Sequence, residues 1–159
     1  MWLGLRPPSA APILGWDVGA DKLGKPPKGT THVVLDTPAG LHGKTLRQAL
    51  RHAGKVVVPL QPSVFDIFAT RAFIDELLAQ RQPGQAIGIV GMRVDARTLA
   101  AERLQAFVQS LQLPVLTYLR DTQNYIHLAA HGLTLFDVAP SRVEKDLTQW
   151  HDLCRWLDA

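Results

Sequence analysis

From Thr31 onward, apolar residues fall into short continuous runs separated by stretches of helical period. The runs are Thr31–Asp36 (THVVLD), Lys55–Leu60 (KVVVPL), Ala86–Met92 (AIGIVGM) and Val115–Leu119 (VLTYL). None alternates strictly between apolar and polar residues, so each reads as a strand covered on both faces. Between them the pattern predicts helices over about Thr45–Ala53, Ser63–Gln80 and Ala96–Leu111. A loop, Arg120–Gln123, leads to a short helix ending near Gly132. Strands alternating with helices in this way predict a parallel sheet with crossover helices. A last helix is expected after Pro140, where Ser141-Arg142-Val143-Glu144 has the form of a capping box. Its apolar face would carry Val143, Leu147, Trp150, Cys154 and Leu157. The fold class is therefore α/β, a mostly parallel sheet flanked by helices.

Residues 1–30 follow a different pattern. Pro7-Pro8, Pro12 and Pro26-Pro27, with glycines at 4, 15, 19, 24 and 29, interrupt any long element. At most, Ile13–Trp16 could form a short strand. The chain divides into an irregular Pro/Gly-rich segment, 1–30, and an α/β domain, 31–159.

Composition adds limits rather than a function. The chain has 159 residues, 47% of them hydrophobic and 19% charged, which is the balance of a single globular domain. No apolar run approaches the length of a membrane span, and the N-terminus lacks the pattern of a signal peptide. Cys154 is the only cysteine, which excludes an internal disulfide and fits a reducing compartment. A cytoplasmic location is expected. Residues 1–55 hold eight Lys/Arg against three Asp/Glu, a local charge of +5, while the remainder carries −2. A basic first third could touch phosphates of nucleotide or nucleic acid, or be an ordinary solvated surface.

The segment THVVLDTPAG, Thr31–Gly40, concentrates the candidate chemistry. Its run ends on Asp36 and turns through Thr37-Pro38-Ala39-Gly40. Such a strand would deliver one carboxylate to the C-terminal edge of the sheet, where ligands of open α/β sheets bind. In phosphate-loop NTPases an acid so placed holds Mg²⁺, although Asp is also a common turn residue. Gly43-Lys44-Thr45 resembles the end of a phosphate loop but fails its spacing. The motif G-x-x-x-x-G-K-S/T would put its first glycine at Pro38, which has no N–H to donate. KPPKGTT, Lys25–Thr31, fails for the same reason. His127 and His131 share a helix face at i, i+4, yet no third zinc ligand accompanies them. No serine has the glycine context of a nucleophile elbow. Trp150 and Trp156 read as packing residues of the last helix.

Taken in series, several stretches resemble the ParA/MinD family of partition ATPases, and within it the plasmid- and chromosome-partition ParA branch. THVVLDTPAG is similar to the family's Walker B strand and turn. KVVVPLQPSVFDIFAT is similar to the next strand and its long helix. IGIVGMRVDART resembles the strand and loop that approach the adenine. PVLTYLRDTQNYIHLAAHGLTLFD resembles the late strand, its base-side loop and a short helix, and SRVEKDLTQWHDLCRWL the closing helix. The resemblance runs from Thr31 to the end of the chain.

It implies a complete protein that binds ATP and Mg²⁺, forms an ATP-sandwich homodimer, binds DNA without sequence preference and hydrolyses ATP slowly under stimulation by a ParB-like partner. It places such a protein in the cytoplasm, on the nucleoid where DNA binding is retained, with no membrane association. By the same resemblance, Asp36 would hold Mg²⁺ through water and Gly40 would sit in the turn next to the γ-phosphate, with Thr37 a further cofactor-binding candidate. Met92, Arg93, Leu119, Arg120 and Asp121 would lie near the base. Arg142 and Lys145 are candidate DNA contacts by position.

Two departures stand beside the matches. The family opens with a strand and a loop of the form K-G-G-x-G-K-S/T, and no such sequence occurs here; Met1–Pro7 looks like the stretch that follows those elements. Met92 stands where the family usually has an Asn able to hydrogen-bond the base. Without the loop the triphosphate lacks its principal donors, so no ATPase activity is expected of this chain alone. The lost strand would lie beside Thr31–Asp36, inside the sheet. That segment should then be left with an open edge unless it closes against Lys55–Leu60 or borrows a partner chain, with low monomer stability or self-association as the result. The alternative to a truncated ATPase domain is a non-catalytic module that pairs with a full-length ATPase or a partition partner. A relative that positions some other cargo is a third reading.

Overall fold

The computed structural model describes residues 2–16 and 24–159; Met1 and the expected chain-breaking Gly19 lie outside them. Among the described residues the domain is built on three parallel strands, β1 (Lys55–Leu60), β2 (Ala86–Gly91) and β3 (Val115–Tyr118), in the order β1-β2-β3. The helices are α1 (Gly43–Leu50), α2 (Val64–Gln80), α3 (Leu99–Ser110), α4 (Gln123–Ala130) and α5 (Pro140–Asp158). Short 3-10 turns occupy Trp2–Leu5 and Leu135–Asp137.

The alternating pleat of β2 sends its side chains to two separate cores, and β1 contributes to the first of them. On one face Val58, Leu60, Ile87 and Ile89 meet Leu46 and Leu50 of α1, Ile74 and Leu77 of α2, and Leu104 and Val108 of α3. On the other face Val90, Leu116 and Leu119 pack against Leu153, Trp150 and Trp156 of α5. The central strand admits its neighbour only because it lacks side chains at two points. A Cβ on Gly88 would lie 2.6 Å from Leu116 Cδ1, and one on Gly91 would run into Tyr118. Gln85, buried at the entry to β2, donates to the carbonyls of Leu50 (2.9 Å) and Ala53 (2.5 Å). It thereby ties the turn after α1 to the start of β2, adding to the Ala53 N–H that Leu50 O already accepts (3.3 Å).

The three strands after residue 50 lie where the apolar runs place them. Thr31–Asp36 does not: it carries no strand, Val34 is 91% exposed, and no backbone hydrogen bond within the described residues involves it. An apolar run becomes a strand only when another strand accepts its hydrogen bonds, and this one has none beside it. Ile13–Trp16 also forms no strand, and its Ile13 and Leu14 are exposed. The start of α3 moves from Ala96 to Leu99 because Asp95 first accepts the Arg97 N–H in a turn (3.1 Å), after which the Thr98 hydroxyl caps the helix by accepting from Ala101 N (3.2 Å).

The expected capping box at Ser141–Glu144 is absent. Pro140 occupies the first turn, Ala139 is the N-cap, and Val143 has non-helical angles (φ −136°, ψ 20°). A capping box occurs instead one element earlier. Thr134 caps the Leu135–Asp137 turn, and the Asp137 carboxylate accepts from Thr134 N at 2.8 Å. The N-terminal segment is docked here too: Arg6 donates to Asp137 through two nitrogens (2.8 and 2.9 Å) and to Gly132 O (3.1 Å). Both side chains of this ion pair are 7% exposed.

Candidate functional site at the C-terminal edge of the sheet

The loops that leave the C-terminal ends of β2 and β3 meet each other. Leu119 N donates to Gly91 O (2.7 Å) and Val94 N donates to Leu119 O (2.9 Å), so the two loops continue the sheet past its last ladder pair. At the same edge Met92 N donates to Leu60 O at 2.8 Å. Arg93, with φ 53°, turns its guanidinium onto the Asp121 carboxylate at 3.2 Å, and both side chains are more than half exposed. Met92, Arg93, Leu119, Arg120 and Asp121 are therefore gathered on one edge. Within this group, Leu119 is 2% exposed and packs in the core with Val90 and Leu153, so it presents backbone rather than side chain.

Arg120 is held by α5. Its Nε donates to Asp146, a residue with no exposed surface, and its backbone N–H donates to Gln149 Oε1 (3.0 Å). Asn124, in the first turn of α4, donates to the other oxygen of Asp146 at 2.6 Å. Burial pushes the Asp146 carboxyl up, but hydrogen bonds from Arg120 and Asn124, together with the Arg120 charge, outweigh it and hold the group below the ordinary carboxylate range. Asp146 and Asn124 are the residues of this edge that the sequence pattern missed. The available signal was a carboxylate one turn after Val143, inside the apolar stripe of the last helix.

Asp36, Thr37 and Gly40 lie outside the sheet in the unpaired segment. Asp36 is exposed and makes no hydrogen bond or ion pair among the described residues, and Gly40 turns the chain at φ 74°. Gly43-Lys44-Thr45 begins α1, where the Gly43 N–H donates to Glu76 Oε1 at 2.7 Å. A carboxylate at that helix start takes the place a phosphate would need and repels one. The residues present do not form a triphosphate cradle. Among the described residues no group of three or more His, Cys, Asp or Glu could hold a metal ion.

His127 and His131 lie 4.9 Å apart between ring centroids, and His131 Nδ1 is bonded to His127 O (2.8 Å). They form a local contact on the exposed side of α4. Arg142 and Lys145 are exposed on α5 and make no ion pair among the described residues. No described helix is long and apolar enough to cross a membrane.

What fold and site define is an α/β protein with a three-stranded parallel sheet and a polar loop cluster at its C-terminal edge. No protein-family model matches the chain, and no curated protein matches it.

Proposed function

We propose that this chain is a ParA-like domain of a partition ATPase and that it supplies the base-side half of a nucleotide site. The observation that carries this reading is the convergence of Met92–Arg93 and Leu119–Asp121 on one sheet edge, bound to each other through Leu119 and Val94. Those are the loops that the resemblance puts beside the adenine. The phosphate half has no counterpart among the residues of this sequence, so ATP, Mg²⁺, dimerisation, nonspecific DNA binding and a ParB-like partner belong to the complete protein. The plain test is the DNA immediately upstream of the Met1 codon. An in-frame K-G-G-x-G-K-S/T preceded by an apolar run supports the ATPase reading, and the longer protein should then hydrolyse ATP in a manner abolished by Asp36→Ala. A stop codon close upstream would overturn it.

A second reading has its own support. The Glu76 carboxylate of α2, which occupies the start of α1, and the exposed Phe65 (86%) and Phe68 (74%) suit a non-catalytic module that binds another protein. Mixing the chain with a full-length ParA-type ATPase and weighing the complex by light scattering separates the two. A heterodimer without any ATP requirement favours the module.

A further inference from the structure

We infer that Thr31–Asp36, unpaired in the arrangement described above, has a second, closed arrangement in which it adds to the outer edge of β1 as a fourth, parallel strand of the same chain. That edge is open: β1 is the first strand of the sheet, and no described residue bonds to its outer row. The row can be identified from the ladder. Ala86 N donates to Gly54 O (3.2 Å) and Met92 N to Leu60 O (2.8 Å), so even-numbered backbone groups face β2 and those of Lys55, Val57 and Pro59 face outward. Pro59 falls on the outward row, the position at which an edge strand tolerates a residue without N–H. The outer row therefore offers the N–H groups of Lys55 and Val57 and the carbonyls of Lys55, Val57 and Pro59.

Three observations select Thr31–Asp36 as the occupant. The first is handedness. Helices α2 and α3 lie on one face and step the strands in the order β1-β2-β3, and α1 packs on that same face. A unit made of Thr31–Asp36, α1 and β1 has the same hand as the two crossovers after it only when its strand lies outside β1. The second is direction. His32 Nε2 lies 3.4 Å from Asp158 at the end of α5, and Lys55 Nζ donates to the neighbouring Leu157 O at 2.7 Å. The start of the segment is thus already at the level where β1 begins, as parallel pairing requires. The third is reach: Thr37–His42 can span about 20 Å when extended, enough to return from the top of a six-residue strand to Gly43. Closure puts one of Val33 and Val34 on the sheet face that α1 covers and brings Asp36 to the edge where Met92 and Arg93 lie. It rests on these contacts and concerns this chain by itself; in the longer protein of the ATPase reading the additional strand would take this edge instead.

Disulfide trapping tests it. In a Cys154→Ser background, Val57→Cys is combined with Val33→Cys in one protein and with Val34→Cys in another. Neighbouring strand residues point to opposite faces, so closure in one register links one pair at least about 10-fold faster than the other, and the product runs as a monomer. Equal rates, no linkage, or linkage only between two chains would each overturn the proposal. Hydrogen exchange on the unmodified chain gives an independent reading should the cysteine variants fail to fold. The Lys55 and Val57 amides are expected to exchange about 100-fold slower than in the unstructured chain. Exchange at the unstructured rate, while Val56 and Val58 stay protected, would overturn it.

Discussion

Asp146 receives the Arg120 guanidinium across the junction of α5 with the loop after β3, and only one member of that pair can reach water. Asp146 has no exposed surface, whereas the Arg120 side chain is 41% exposed. Removing either partner therefore has unequal consequences. Arg120→Ala strands a carboxylate in the interior and is expected to cost about 3 kcal/mol, whereas Asp146→Ala frees an arginine that rehydrates and should cost about 2 kcal/mol. Urea unfolding of the two variants at pH 7 reads the order. In Arg120→Ala the effect of burial on Asp146 is no longer outweighed, so its carboxyl pKa should rise and the damage should shrink as pH is lowered toward 5.

Acid should weaken the fold through the carboxylates that are held low. Arg6 and Thr134 hold the Asp137 carboxyl at about 2, against partial burial that raises it, and Asp146 is shifted in the same direction. The folded state then binds fewer protons than the unfolded chain, so this stability is complete above about pH 4 and is lost as pH falls toward 2. For Asp137 the loss is about 2 kcal/mol. Following the urea midpoint with pH should show the decline, and Arg6→Met should flatten part of it.

Gly132 has φ 69°, and a Cβ there would sit 2.5 Å from Arg6 N and run into the Leu5 backbone. Gly132→Ala should therefore lift the N-terminal segment off α4 and cost about 1–3 kcal/mol. Limited proteolysis within residues 2–16 should become faster in the variant. Unchanged cleavage would mean that the segment does not dock there.

Phe65 and Phe68 stand one turn apart at the start of α2, beside the exposed Val64. An apolar surface of this kind on an isolated domain drives self-association. The double variant Phe65→Ser/Phe68→Ser should lower the weight-average mass in light scattering while leaving the melting temperature within a few degrees, since neither ring contributes to the core.

Much of the sheet was legible because β1, β2 and β3 pair with one another in chain order. Their apolar runs each met a neighbour only one crossover away, so local pattern and tertiary context agreed. Val33-Val34 carries the same local signal and forms no strand, because pairing depends on a neighbour that the run itself does not encode. Pro140 shows a similar conflict at a helix start. Fixed at the first turn, it moves the N-cap to Ala139 and leaves the Ser141–Glu144 pattern without its role. The site was legible in part. The loops after β2 and β3 follow from topology, and Arg93 and Asp121 with them. The ties from Arg120 to Asp146 and from Arg6 to Asp137 could not be read, since they join positions 26 and 131 residues apart by charge alone.

Pro59 has a consequence for how firmly any added strand could hold. An incoming strand finds two donors at the Lys55 end of β1 and none at the Leu60 end. It would be stapled where it enters and loose where it leaves, like a tape fixed at one end. Asp36 would ride on the loose end, free to swing over the polar loops after β2 and β3 while Thr31 and His32 stay put.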